Sequence, residues 1–136
     1  MNIDSIENGY VIDHIPAGKG MLVYEVLDLS SLGCQVAIIT NAKSRKNEVK
    51  DIIKINALID LDLDVIGYIA PNATINIIED SKLVDKKKAA MPKEIVNVEK
   101  CPNPRCICNN EPIAHTFKLT DNKGTYRCIY CETKAK

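Results

Sequence analysis

Two closely spaced pairs of cysteines stand near the C-terminus and restrict most strongly what this chain can fold into. Four residues separate Cys101 from Cys106, and two separate Cys128 from Cys131. The tail that begins at Cys101 is shorter than the roughly 40 residues usually needed to fold without added support. Four thiolates can close a tetrahedral zinc site, which contributes an apparent binding free energy of about 10–16 kcal/mol. The pairs therefore predict one zinc ion per chain, bound for folding.

The cysteines leave alternatives open. Six cysteines would also permit a disulfide framework, but their paired spacing and the acidic Asp4 and Glu7, where an apolar leader would begin, favour metal binding in the cytoplasm. Cys108 is a spare thiol or an alternative ligand, and its side chain points differently from that of Cys106 if the segment is extended. His115 could compete as a ligand. An iron site of the rubredoxin type is the remaining alternative metal.

Composition limits the partners of the chain. It has 136 residues, 18 basic and 18 acidic side chains and only 4% aromatic residues. A nucleic-acid-binding protein is usually basic and often offers aromatic rings for stacking, so no nucleic-acid partner is predicted. No apolar run approaches the roughly 20 residues that cross a bilayer, so no membrane partner is predicted either.

Hydrophobic periodicity predicts alternating strands and helices. Strands are predicted at 10–15, 35–40, within 48–59, 74–78 and 82–84, and helices at 19–29 and 60–70. The order of the first six elements predicts an α+β, ferredoxin-like β-α-β-β-α-β domain over residues 1–94. A small all-β, zinc-ribbon-like domain is predicted for residues 95–136, with 89–100 as the linker. One sheet face is predicted to lack helices, with Ile12, Ile38 and Ile53 on or near it.

Basic residues suggest an anion site in the first domain. Lys50 and Lys54 are four residues apart, which places both on one face of a strand. Asp13, His14 and Lys86 stand at predicted strand ends, where they could join the lysines around a nucleoside triphosphate. Solvated lysines are the simpler interpretation of the pattern. The sequence contains no P-loop and no set of nucleophile, base and orienting acid, so no enzymatic activity and no catalytic residue are predicted.

Longer motifs resemble a known family. Val-Ile-Asp-His-Ile-Pro-Ala at 11–17, Lys-Asp-Ile-Ile-Lys-Ile at 50–55 and Tyr-Ile-Ala-Pro-Asn-Ala-Thr-Ile-Asn at 68–76 precede the paired cysteines. Together they resemble the regulatory chain of aspartate carbamoyltransferase, the enzyme complex of pyrimidine biosynthesis. The resemblance implies a non-catalytic subunit, with an allosteric domain that binds CTP or ATP, and in some members UTP. It also implies a homodimer through that domain and a zinc domain docked on the catalytic chain.

The resemblance also implies roles for individual residues. Ile3, Asp4, Ser5 and Ile6 would lie against the nucleotide base. The remaining nucleotide-binding residues would be Asp13 and Lys54 near ribose and base, His14, Lys50 and Lys86 at the phosphates, and Asn76 close to them. Cys101, Cys106, Cys128 and Cys131 would hold zinc, and Asn103 and Glu111 would contact the catalytic chain.

A competing function rests on the cysteine spacing alone. Two thiolate pairs also occur in zinc-ribbon adaptors that bind nucleic acid or act in transcription. The balanced charge and the scarcity of aromatic residues speak against this alternative.

Overall fold

A computed structural model describes residues 6–45 and 48–135 of the chain. The chain divides into two compact units, Met1–Ala90 and Met91–Lys136. The predicted domain boundary followed residue 94, a few residues beyond this division. Among the described residues, no helix is both long and apolar enough to cross a bilayer.

The larger unit is an antiparallel five-stranded sheet with two helices. In chain order its elements are β1 (Gly9–Pro16), α1 (Gly20–Val26), β2 (Val36–Lys43), β3 (Val49–Ile55), α2 (Leu63–Ile69), β4 (Thr74–Glu79) and β5 (Lys82–Lys88). The spatial order β2-β3-β1-β4-β5 places β1 at the centre. The predicted α+β class and β-α-β-β-α-β order are confirmed, and the strand predicted at 82–84 is β5, the longer hairpin partner of β4.

Local chemistry explains where the helices begin and end. Asp62 caps α2, because its side chain accepts hydrogen bonds from the backbone N–H groups of Asp64 and Val65. The helix ends before Pro71, which cannot continue it. Helix α1 ends at Val26, earlier than the predicted residue 29, because Asp28 takes a left-handed conformation with φ 53°. A short 3-10 turn, Leu29–Ser31, follows.

A row of isoleucines forms the core of the larger unit. Ile12 of β1 pairs with Ile53 of β3 and with Ile75 of β4, so the three side chains share one face of the sheet. All three are at most 1% exposed, and α1 packs on β2 and β3. The prediction that Ile12 and Ile53 lie on or near the uncovered face is therefore wrong. Ile38 pairs with Ile53 and belongs to the same covered face.

The smaller unit is a three-stranded antiparallel sheet built around an aromatic pair. Its strands are β6 (Glu94–Val96), β7 (Thr116–Leu119) and β8 (Tyr126–Cys128), in the order β6-β7-β8, with a helical turn α3 (Ile107–Asn110) between β6 and β7. Phe117 is fully buried, and the Tyr126 hydroxyl donates a 2.6 Å hydrogen bond to the Pro92 carbonyl. The small β domain with a cysteine cluster is confirmed, although β6 occupies part of the predicted linker.

Candidate functional site

A polar row crosses the larger sheet on the face opposite the isoleucines. Val11 of β1 pairs with Lys54 of β3 and with Asn76 of β4, and Asn76 pairs with Lys86 of β5. Directly opposed residues of antiparallel strands point to the same face, so the four side chains lie in one line. Strands are spaced about 4.8 Å apart, which puts the backbones of Lys54 and Lys86 roughly 14 Å from each other. This is a span that one extended small molecule could bridge.

The row is held together at its centre by a side chain. The Asn76 amide donates a 3.2 Å hydrogen bond to the Val11 carbonyl, which fixes Asn76 beside β1. Lys54, Asn76 and Val11 are each partly buried, whereas Lys86 is exposed on the edge strand. The prediction that Lys50 and Lys54 share a strand face holds for β3, whose alternate residues Asp51, Ile53 and Ile55 are buried.

A β-bulge in β1 reorients two of the predicted site residues. The register between β1 and β3 shifts between Ile12 and Ile15, so Asp13 and His14 are opposed by one residue of β3. His14 has φ 60° and its Nδ1 lies 2.6 Å from the Thr74 hydroxyl oxygen. Lys50 Nζ forms a 2.9 Å ion pair with Asp13 Oδ1. At the bulge, Asp13 thus meets Lys50 of β3, while the His14 ring meets Thr74 of β4.

Partial burial and hydrogen bonding act in opposite directions on the Asp13 carboxyl. Burial alone would raise its pKa. The hydrogen bond from Lys50, the backbone N–H of His14 and the nearby positive charges outweigh burial, so the pKa of Asp13 lies below its ordinary value. The carboxylate form is therefore favoured, and Asp13 can accept hydrogen bonds near neutral pH.

The segment before β1 runs beside the turn between β4 and β5. Ile6 is buried, with 7% of its surface exposed. The Glu7 carbonyl accepts a 2.8 Å hydrogen bond from Ser81 N, and Asn8 Oδ1 accepts one of 3.1 Å from Asp80 N. Ile3, Asp4 and Ser5, predicted to lie at a base, are outside the described residues.

Asp51 is a buried carboxylate that the sequence analysis missed. It is fully buried, and its oxygens accept hydrogen bonds from the backbone N–H groups of Gly18, Gly20 and Asn41. These bonds connect β3 to the loop before α1 and to β2. The signal was present in the sequence, because Asp51 occupies a core position in the alternating pattern of β3. Through these hydrogen bonds Asp51 fixes the position of β3, the strand that carries Lys50.

The smaller unit gathers buried sulfur atoms. The Sγ atoms of Cys101, Cys106, Cys108 and Cys128 all lie within 4.8 Å of one another, and all four residues are buried. Cys106 Sγ is 3.6 Å from Cys128 Sγ, and Cys101 Sγ is 3.5 Å from Cys131 Sγ. Sulfur ligands of tetrahedral zinc are about 3.8 Å apart, given a zinc–sulfur distance of roughly 2.3 Å. The cluster can hold one metal ion, typically zinc, and the predicted cofactor is confirmed.

The four clustered thiols and the neighbouring Cys131 thiol differ in environment. Burial raises the pKa of Cys101, and burial followed by contact with Cys106 raises the pKa of Cys108 to about 11. Cys131 is only partly buried, and its hydrogen bond with the Thr133 side chain lowers its pKa to about 6. Coordination of a divalent metal favours the thiolate form of each ligand. All six cysteines of the chain are free thiols in the structure.

Hydrogen bonds outside the sulfur cluster fix the first cysteine pair. The Asn109 amide donates to the carbonyls of Cys101 and Asn103, at 2.9 and 2.7 Å. The Nδ1 atom of His115, considered as a competing ligand, accepts a 2.9 Å hydrogen bond from Cys101 N, so this ring nitrogen supports the backbone. Such bonds around the ligands set their orientation.

The predicted interface residues lie close to the first cysteine pair. Asn103 is partly buried and its Oδ1 accepts a 3.0 Å hydrogen bond from Arg105 N, while Glu111 is exposed directly after α3. Apolar side chains that follow the cysteines are exposed nearby: Ile107 by 50%, Ile129 by 46% and Tyr130 by 47%. Ile107 follows Cys106 and Ile129 follows Cys128, so each cysteine pair has an exposed isoleucine beside one of its members.

Comparison with known families covers nearly the whole chain. The family described as "Aspartate carbamoyltransferase regulatory chain, allosteric domain" matches residues 1–90. The family described as "Aspartate carbamoyltransferase regulatory chain, metal binding domain" matches residues 93–136. The two matches follow the division of the chain into two units.

Individual relatives agree with the family matches. A protein of Clostridium acetobutylicum named aspartate carbamoyltransferase regulatory chain is 50% identical over 134 residues, covering 97% of this chain and 92% of the relative. Proteins of the same name from Bifidobacterium longum and Clostridium botulinum are 43% and 46% identical. They cover 100% and 97% of this chain, and 99% and 92% of their own lengths.

Proposed function

Because this chain belongs to the family of aspartate carbamoyltransferase regulatory chains, a non-catalytic subunit of that enzyme, we propose that its larger unit binds CTP or ATP, and also UTP, as allosteric effectors. The observation that carries the proposal is the polar row Lys54–Val11–Asn76–Lys86, with the Asp13–Lys50 ion pair beside it. Lysine ammonium groups attract phosphate, whereas an ionised carboxylate accepts hydrogen bonds from ribose hydroxyls.

The row and the residues at the bulge together supply both kinds of contact. Lys86, His14 and Lys50 provide positive or hydrogen-bonding groups for the phosphates, and Asn76 lies between the two ends. Asp13 and Lys54 serve the ribose and base side, and the backbone near Ile6 approaches the base. Effector binding shifts the enzyme between states of low and high activity with a coupling free energy of about 1–3 kcal/mol, which is ordinary for allostery.

Titration calorimetry with CTP and with ATP at millimolar concentration tests the nucleotide site. The double variant Lys54→Ala, Lys86→Ala is expected to weaken binding at least tenfold. Lys87→Ala is a matched control, because Lys87 neighbours Lys86 in β5 but pairs with Ile75 on the core face. Equal affinity of the wild type and the double variant would remove the site assignment, as would equal losses in the double variant and the control.

The smaller unit docks on the catalytic chain, and zinc maintains the docking surface. In this proposal Cys101, Cys106, Cys128 and Cys131 hold one zinc ion per chain. A site with four sulfur ligands is closed, so the metal stabilises structure without binding substrate. Asn103 and Glu111 contact the catalytic chain beside the exposed apolar side chains of Ile107 and Ile129. Paired thiols suit a reducing compartment, which supports the cytoplasm as the location.

Co-elution with purified catalytic chains in size-exclusion chromatography tests docking. The wild type is expected to co-elute, and removal of zinc with a chelator is expected to abolish the complex. Glu111→Ala should weaken the complex, while Glu94→Ala, another exposed acidic residue of the same unit, should leave it unchanged. Unaltered co-elution after verified removal of zinc would contradict the proposed role of the metal.

A homodimer through the larger unit completes the proposal. Its support is the edge strand β5, which is exposed throughout and carries Leu83 and Val84 with 59% and 52% of their surfaces accessible. Exposed apolar side chains on an open strand edge favour pairing with another chain. Sedimentation of the isolated chain tests this step, and a monomer at every accessible concentration would contradict it.

A further inference from the structure

The segment after Cys106 folds differently from the extended form considered in the sequence analysis. Cys106 is the residue before α3, and Cys108 is the second residue of that helical turn. The turn keeps the two side chains on the same side of the segment, with their Sγ atoms 3.4 Å apart. Cys108 is therefore part of the sulfur cluster, and its residue is only 3% exposed.

Two four-sulfur sets overlap in this cluster. Cys101, Cys106 and Cys128 belong to both. Cys108 completes a fully buried set whose sulfurs are all within 4.8 Å of one another. Cys131 completes the set given by the paired spacing, and its Sγ lies 3.5 Å from that of Cys101 and 3.2 Å from the Thr133 hydroxyl oxygen.

We infer that Cys108 is a competent zinc ligand that competes with Cys131 for the fourth coordination position. Zinc has no geometric preference from its d-electrons and binds four thiolates tetrahedrally, so it accepts either set. In either set four thiolates would hold the metal, and the cysteine outside the set would keep its proton. Cys131 is the more exposed of the two, so the buried Cys108 can hold the site closed when Cys131 is lost. The inference rests on metal binding by the smaller unit and is independent of nucleotide binding.

Zinc-edge X-ray absorption of the full-length, zinc-loaded chain counts the sulfur ligands. The wild type, Cys108→Ser and Cys131→Ser are each expected to show four sulfurs. The double variant Cys108→Ser, Cys131→Ser is expected to show three sulfurs and one oxygen or nitrogen. Three sulfurs in Cys131→Ser would overturn the inference. Fewer than four sulfurs in the wild type would instead refute the metal site itself.

Competition with a zinc chelator of known affinity gives a second measurement. Removing Cys108 from the wild type should change the zinc affinity by about twofold or less, because the second set remains. The same removal in the Cys131→Ser background should lower the affinity at least tenfold, a non-additivity typical of groups that replace each other. Additive effects would overturn the inference. Failure of both Cys131→Ser and Cys131→Ala to take up zinc would also overturn it, since Cys108 would then not supply the fourth thiolate.

Discussion

Replacing Asp51 with alanine is expected to lower the free energy of unfolding by about 3 kcal/mol or more. The carboxylate accepts the N–H groups of Gly18 and Gly20 at 3.0 and 2.9 Å, and that of Asn41 at 3.0 Å. A buried donor left without an acceptor costs about 1–3 kcal/mol. The Gly18 and Asn41 groups are only partly buried, so water can reach them in the variant. The low end of the range therefore applies to each of them.

The variant Asp51→Asn removes the negative charge but keeps one acceptor oxygen. It therefore tests the loss of the charge separately from the loss of every hydrogen bond. The amide oxygen can replace one carboxylate oxygen, but the NH2 group must then face a backbone N–H group, so a loss of about 1–3 kcal/mol is expected. Glu25→Gln is the control, because it removes one charge from an exposed position of α1. This control is expected to stay within about 0.5 kcal/mol of the wild type.

Urea unfolding of the zinc-saturated full chain, followed by circular dichroism, measures these differences. Hydrogen exchange resolved by peptide assigns the loss to a unit, and faster exchange is expected in β2 and in the loop before α1. A loss of less than about 1 kcal/mol for Asp51→Ala would refute the reasoning, because even one fully unsatisfied donor should cost that much. A loss equal to that of Glu25→Gln would do the same.

Three further perturbations test other contacts. Lys50→Ala should raise the pKa of Asp13 from its lowered value, because the hydrogen bond and the positive charge of Lys50 are lost while burial remains. Carboxyl NMR titration measures this shift, and an unchanged pKa would contradict it. In the wild type the lowered pKa stabilises the folded state above pH 3.8, and this contribution is lost as the pH falls through the lowered pKa. Gly67→Ala should cost about 1–3 kcal/mol in urea unfolding, since the new Cβ would overlap the Ala90 carbonyl; an unshifted midpoint would argue against that overlap. Removal of zinc by a chelator should make residues 91–136 susceptible to protease and leave residues 1–90 resistant. Mass spectrometry of the fragments measures this, and resistance of both ranges would count against a folding role for the metal.

The spacing of the apolar residues, together with the prolines and glycines that interrupt helices and strands, was enough to predict the elements of the larger unit. The β-rich run around Ile52, Ile53 and Ile55 predicted β3, and Pro71 marked the end of α2. The choice of face for Ile12 failed because it depends on pairing across strands, and the bulge at Asp13 and His14 adds one residue to β1. A bulge leaves no periodic signal in a single sequence.

The metal centre was predictable from spacing, but the position of Cys108 within the sulfur cluster was not. Spacing predicted two pairs of thiols, and the buried sulfur cluster supports zinc binding. The place of Cys108 depends on whether residues 106–110 are extended or helical. The pattern of apolar and polar residues in this segment is too short to distinguish the two forms. In the structure the side chains of Asn109 and Asn110 donate hydrogen bonds to the carbonyls of Cys101 and Cys106, which favours the helical turn. These bonds exist only once the first cysteine pair is folded.

The polar row and the isoleucine row are set by the same strand register. Ile12 and Val11 are neighbours in β1. Each pairs with one residue of β3 and one residue of β4, so each is a central member of its row. A slip of one residue would turn Lys54 and Asn76 into the core and expose Ile53 and Ile75 to water. Burial of the isoleucines therefore selects the same register that forms the polar row. A sheet that assembled in another register would lose its buried core, so a misaligned row would not form on a stable sheet.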